Sequence, residues 1–227
     1  AKPFAVFSGN QCVNIPPSIS ACDHIVEQLF PVRSWRRTFV TVPLQTRNGD
    51  TYRILASRNN TEIKINGTSV AALNQGQFYE LILKSPSVIA GNYPICVAQY
   101  SNGQSYDNAN ADPFMIILSP VDQTRYDITF HVFDFPNISH NYLNVVTKTS
   151  CVSTLRLDGA VISSAFSQVP FDPSYSYAQL SISPGSHRLI GNEDCGFNAY
   201  VYGYGSYDSY GYSAGTSLDT LSISLVV

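Results

Sequence analysis

The chain has 227 residues, a formal net charge of −3, 44% apolar residues and 13% charged residues, about half the charged share usual in globular domains. That balance excludes a basic footprint for nucleic acid or anionic lipid, and no apolar run approaches the ~20 residues of a membrane-spanning helix. The length suits one large or two small domains.

Residues 1–9 (AKPFAVFSG) predict a short apolar strand closing on a Gly turn. With no initiator Met and no leader-like apolar segment, the chain is expected to be processed or to belong to something longer. Residues 93–103 (YPICVAQYSNG) have the same texture, so residues 1–20 read as the terminal strand and loop of a preceding unit. Residues 21–32 (ACDHIVEQLFPV) allow one helical turn before Pro31 stops it.

From there the chain repeats. Asp23 and Pro31 recur as Asp112 and Pro120, 89 residues on, and FVTV at 39–42 recurs as ITFH at 128–131 at the same offset. YRIL at 52–55 and YLNV at 142–145 stand 90 apart; TEIKING at 61–67 and STLRLDG at 153–159 stand 92 apart. FYELIL at 78–83 and YAQLSI at 177–182 stand 99 apart. The offset only grows, and it grows at loops, as a duplicated unit drifts by insertion. Within each copy Ile63 and Ile65 face away from Glu62 and Lys64, and Leu155 and Leu157 away from Arg156. A period of two marks half-buried antiparallel strands. Asn66-Gly67 and Asp158-Gly159 are hairpin signals, because a type I′ turn needs positive φ. Short strands with turns every ~8–12 residues fit a β-sandwich. The expected fold is all-β: two tandem, sequence-related antiparallel β-sandwich modules at 21–108 and 109–215, then a C-terminal strand at 216–227. The apolar stretch from Leu218 to Val227 would be an aggregation-prone edge if unpaired. It is expected to join a sheet of this chain or of a neighbouring copy, which is a route to self-association.

Five cysteines form no CxxC and no zinc spacing with His. Cys12 and Cys22 flank a Pro-rich loop that a disulfide would clamp; Cys151 and Cys195 would staple two strands of one module. Cys96 is left over in the apolar run PICVA and reads as a buried free thiol. Two disulfides imply an oxidising, extracellular setting. Sequons at Asn59, Asn66 and Asn137 permit glycosylation and are no more frequent than chance.

Neither HExxH, GxSxG, a P-loop nor GxGxxG occurs, so the residues offer no catalytic constellation of weight and no enzyme is expected. His24, His131, His140 and His187 are dispersed and read as solvated or hydrogen-bonded residues. Asp107, Asn108, Asn110 and Asp112 form the one oxygen-rich cluster, of a kind that serves Ca²⁺, but Asn and Asp also serve turns by bonding their own backbone, and an ordinary loop is the stronger reading. No other cofactor is implied. Tyr200, Tyr202 and Tyr204 alternate and are expected to pack on one strand face. Tyr207, Tyr210 and Tyr212, beyond Gly205, are a candidate binding surface, since Tyr offers contact area with few rotamers to freeze. Trp35, Arg36 and Arg37 are a second candidate patch, because Trp and Arg dominate interface hot spots.

The runs CDHIVEQLFP, NTEIKING, VAQYSNG, ADPFMIILSPVDQ, NYLNVV, LDGAVI, SPGSHRLIG, YVYGYG and YGYSAG stand in the order found in one family. Over residues 2–215, from Lys2 to Gly215, the chain resembles the N-terminal domain of the IgG Fc-binding protein family. It departs in carrying Arg36 where the family has Gly after the Trp, and in lacking the upstream part of that domain. The resemblance implies a secreted protein of mucus, matrix or cell surface that adheres to an extracellular protein or glycoprotein. A carbohydrate-binding module using the exposed tyrosines, with or without Ca²⁺, is the other expectation.

Overall fold

The computed structural model describes residues 4–218. Within them the chain is all-β and antiparallel throughout. β1 (Phe7–Val13) and β2 (Asp23–Gln28) form an N-terminal hairpin. β3 (Arg36–Thr41), β4 (Asp50–Ala56), β5 (Thr61–Ile65), β6 (Thr68–Leu73), β7 (Phe78–Leu83), β8 (Ser87–Tyr100) and β9 (Met115–Ile117) form a seven-stranded sheet organised on the long β8. β10 (Asp127–Val132), β11 (Ile138–Lys148), β12 (Arg156–Leu157), β13 (Ala160–Val161), β14 (Ser167–Val169), β15 (Asp172–Ser181), β16 (Gly185–Ile190), β17 (Phe197–Gly205) and β18 (Asp208–Gly215) follow. They divide into a four-stranded sheet, β10-β16-β12-β13, and a five-stranded sheet, β14-β15-β11-β17-β18.

Most pairings of the two halves correspond, although β14, which pairs with β15, has no counterpart in the first half. β3–β8 and β5–β8 correspond to β10–β16 and β12–β16. β4–β7 and β4–β8 correspond to β11–β15 and β11–β17. The hairpin β5–β6 corresponds to β12–β13, and β8–β9 to β17–β18. One strand of the first half, β8, does the work of two in the second, β16 and β17. The packing does not divide in the same way. Phe39, Ile54, Ile63 and Ile89 lie in one core cluster with Tyr142, Tyr200, Tyr202 and Tyr204 of the other half. On β17 the tyrosines face that cluster, while Phe197, Ala199 and Val201 face a second one with Phe130, Leu143, Leu155 and Leu189. β17 is therefore buried on both faces, and the expected shared face of Tyr200, Tyr202 and Tyr204 is observed.

Both predicted hairpin turns form, with φ of 52° and 82° at Asn66 and Gly67 and of 52° and 85° at Asp158 and Gly159. Three local expectations are corrected. Residues 23–28 form β2 and not a helical turn, because β1 supplies a pairing edge. Gly9 makes no turn: it sits inside β1 opposite Val26, where a Cβ would lie 2.3 Å from the Ile25 carbonyl oxygen. Ser153 and Thr154 belong to a 3-10 segment, Thr149–Thr154, so only Arg156–Leu157 remain extended. The disulfides are Cys12–Cys22 and Cys151–Cys195, and Cys96 is free. Of the expected C-terminal strand at 216–227, residues 216–218 are described and lie outside any strand, and the rest lies outside the described residues.

Candidate binding site

The sequence between β2 and β3 makes a 3-10 turn at Val32–Ser34 after Pro31, which places Trp35 and the start of β3 at the rim of the sheet. Opposite them β8 bulges. Arg36 pairs with Ile95 and Thr38 with Ala90, so the four residues from Gly91 to Pro94 stand against Arg37 alone. A Cβ at Gly91 would lie 2.6 Å from the Tyr93 carbonyl oxygen, so the bend requires glycine. Bulges re-aim side chains at sheet rims, and this one opens a groove of about 750 Å³. Arg33, Arg36, Arg37 and Arg58 line it with Trp35, and Asp122 is the one carboxylate.

The groove is braced from beneath. Trp35 donates its indole N–H to the Phe30 carbonyl at 3.1 Å, which fixes the ring. Gln123 donates to the Ser34 carbonyl at 2.6 Å and ties the turn to the second half. Arg36 forms the frame: it donates to the carbonyls of Arg33 and Trp35 and pairs with Asp122 at 3.3 Å. Arg33, Arg37 and Arg58 are exposed, and among the described residues no carboxylate pairs with them. Arg58 lies over the Tyr93 ring, 5.6 Å from its centroid.

The tyrosine candidates divide between a turn and one face of β18. Tyr207 stands at the β17–β18 turn with φ of 58° and 87% exposure. Tyr210 and Tyr212 are half-buried on β18 against Phe133, with centroids at 5.1 and 6.2 Å. Their hydroxyls donate to Asn141 Oδ1 and to the His131 carbonyl, and burial pushes both phenols up.

In the oxygen-rich loop, Asp107 is committed to protein partners. Asp107 accepts two hydrogen bonds from Arg47, at 3.0 and 2.9 Å, and one from the Asn48 N–H. Burial alone would raise this carboxyl, but those bonds hold it below the usual range. Asn108 turns the chain at φ of 56° and Asn110 is exposed. The backbone carbonyl of Asp112 accepts the Ser209 hydroxyl, and burial, then Asp23 and Asp208, raise its carboxyl. Among the described residues no group of three or more His, Cys, Asp or Glu is placed to hold a metal.

Thus Trp35, Arg36 and Arg37 meet in one concavity. Arg33 and Arg58 were not singled out from the sequence. Arg33 is close enough in the chain to have been found by counting charges around the Trp; Arg58 arrives only through the end of β4 and the bulge of β8. Among the described residues no helix is long and apolar enough to cross a membrane.

The human IgGFc-binding protein is 24% identical over 220 residues, covering 94% of this chain, and the chain spans 4% of that relative's length. Among solved structures, a lectin from Pleurotus ostreatus in complex with GalNAc is 10% identical, with a TM-score of 0.23 over 78% of this chain and 75% of the lectin. Its apo form scores 0.22 over 79% and 72%. Scores that low bear on neither fold nor ligand. The family described as IgGFc binding protein matches residues 1–203, and the chain belongs to that family.

Proposed function

We propose that the chain is an extracellular protein-binding module of a secreted mucus, matrix or surface protein, acting by adhesion and not by catalysis. The observation that carries this reading is the groove around Trp35: a fixed aromatic ring and exposed arginines in a concavity, the residue types that dominate interface hot spots. The two disulfides support an oxidising compartment. The partner proposed first is the Fc region of IgG, for which the family and the human relative are named. The test is surface plasmon resonance of the full chain over immobilised IgG Fc, with Fab as control. Saturable binding to Fc with a Kd of roughly micromolar order is expected. No response to Fc, or an equal response to Fab, would overturn the Fc assignment.

A further inference from the structure

We infer that the Trp35 groove reads an acidic peptide segment, one carrying several Asp or Glu carboxylates beside an apolar residue. This rests on the protein-binding reading above and names the chemistry of the partner at that site. The chain is acidic overall, with 13 Lys and Arg against 16 Asp and Glu, yet this concavity gathers four arginines against one carboxylate. Arg36 and Asp122 form an ion pair, which leaves the groove's excess positive charge on the exposed Arg33, Arg37 and Arg58. A guanidinium fork matches a carboxylate with two parallel hydrogen bonds.

The neutral groups favour a peptide over a sugar. Sugar hydroxyls are recognised by uncommitted neutral donors and acceptors, and of the neutral side chains lining this groove only the Thr38 hydroxyl is uncommitted. Ser57 donates its hydroxyl to the Pro94 carbonyl at 2.5 Å, and the Trp35 indole N–H is held by Phe30. What remains between the arginines is mainly apolar, with Val32, Pro94 and Val121 beside Thr38. Val32 is 56% exposed and stands ready to cover an aliphatic side chain. The groove therefore presents charge and apolar contact side by side.

Trp35 is the single tryptophan of the chain, so its fluorescence reports occupancy directly. The experiment titrates the full chain with an acetylated Leu-Glu-Asp-Glu-Asp-Leu peptide, and separately with a heparin hexasaccharide as the sulfated-sugar probe. A saturable change in Trp35 emission with the peptide is expected. It should weaken about tenfold when NaCl rises from ~0.05 to ~0.5 M, since exposed charges are screened over shorter distances. Arg37→Glu and Arg58→Glu, both at exposed positions, should each weaken it about tenfold, and Arg58→Gln about threefold, with an unchanged melting temperature. A response to the hexasaccharide and none to the peptide would overturn the inference. So would affinity within about twofold of wild type in both charge reversals. Fc binding that persists in Arg37→Glu while the peptide gives no response removes this inference and leaves the protein-binding reading standing. A saturable, charge-dependent peptide response without Fc binding removes the Fc assignment and sustains the groove.

Discussion

Asp50, at the start of β4, has no exposed surface. Its Oδ2 accepts the Leu44 N–H at 2.7 Å and the Gln99 side-chain amide at 2.8 Å, while Oδ1 is buried without a partner. Burial outweighs those hydrogen bonds and lifts the carboxyl from 3.8 to about 7. Glu27 on β2 is lifted from 4.5 to about 7, again chiefly by burial. A raised folded-state pKa means that the folded chain holds the proton more tightly than the unfolded one. The associated stability is complete below the unfolded pKa and is lost as pH rises through the folded value. The carboxyls held low, Asp107, Asp127 and Asp158, act in the opposite direction but finish below about pH 4. Between about pH 5 and pH 8.5 the raised carboxyls set the slope, so the urea midpoint should fall over that interval, by a few kcal/mol in unfolding free energy. Asp50→Asn should flatten much of the fall. A midpoint that rises from pH 5 to 8.5 would show that Asp50 and Glu27 do not control it.

The two disulfides brace different elements. Cys151–Cys195 spans 44 residues and joins the 3-10 segment after β11 to the turn before β17. Cys12–Cys22 spans 10 and closes the connection of the β1–β2 hairpin. Chain entropy alone assigns about 4 kcal/mol to the longer loop and about 3 to the shorter. The longer loop also encloses β12 to β16 and holds the fully buried Leu155 and Leu189. Replacing Cys151 and Cys195 by Ser should therefore cost more in guanidinium unfolding than replacing Cys12 and Cys22; the reverse order would refute this ranking. The same contrast between local and distant chemistry explains what the sequence made legible. Asn66-Gly67 and Asp158-Gly159 declared their turns because positive φ is a property of the residues themselves. The alternation at Ile63 and Ile65 likewise announced a buried face. Residues 23–28 fit a helical turn or a strand equally well, and only the edge offered by β1 decides between them. In the groove, Trp35, Arg36 and Arg37 were visible as neighbours. Arg58 was not, because a bulge in a strand more than thirty residues further on brings the walls together. Tyr210 and Tyr212 read as surface from composition, but Phe133, far off in sequence, covers their rings.

At the scale of the whole chain, pairing and packing disagree, and the disagreement has a thermodynamic consequence. The matched pairings around β3–β8 and β10–β17 support the proposal that residues 21–108 and 109–215 are a duplicated unit, although β9, at 115–117, pairs with β8 of the first. Two such units with separate cores would melt separately. Here the second half places Tyr142, Tyr200, Tyr202 and Tyr204 in the same cluster as Tyr52, Ile54 and Ile89 of the first. The Tyr202 hydroxyl accepts the Gln45 N–H and donates to Asn144, both at 2.8 Å. Asn144 and Gln179 donate to the Pro43 carbonyl at 3.0 and 2.7 Å. Opening one half thus strands buried polar groups of the other, each at a cost of about 1–3 kcal/mol. Differential scanning calorimetry should show one transition whose calorimetric and van't Hoff enthalpies agree. Tyr202→Phe should lower its midpoint without splitting it, because it removes one cross-half hydrogen bond, from Gln45, and one to Asn144 within the second half, and leaves the ring's packing in place. Two resolved transitions in the wild-type chain would mean that the shared cluster does not couple the halves, and each would then have to be stable on its own pairing.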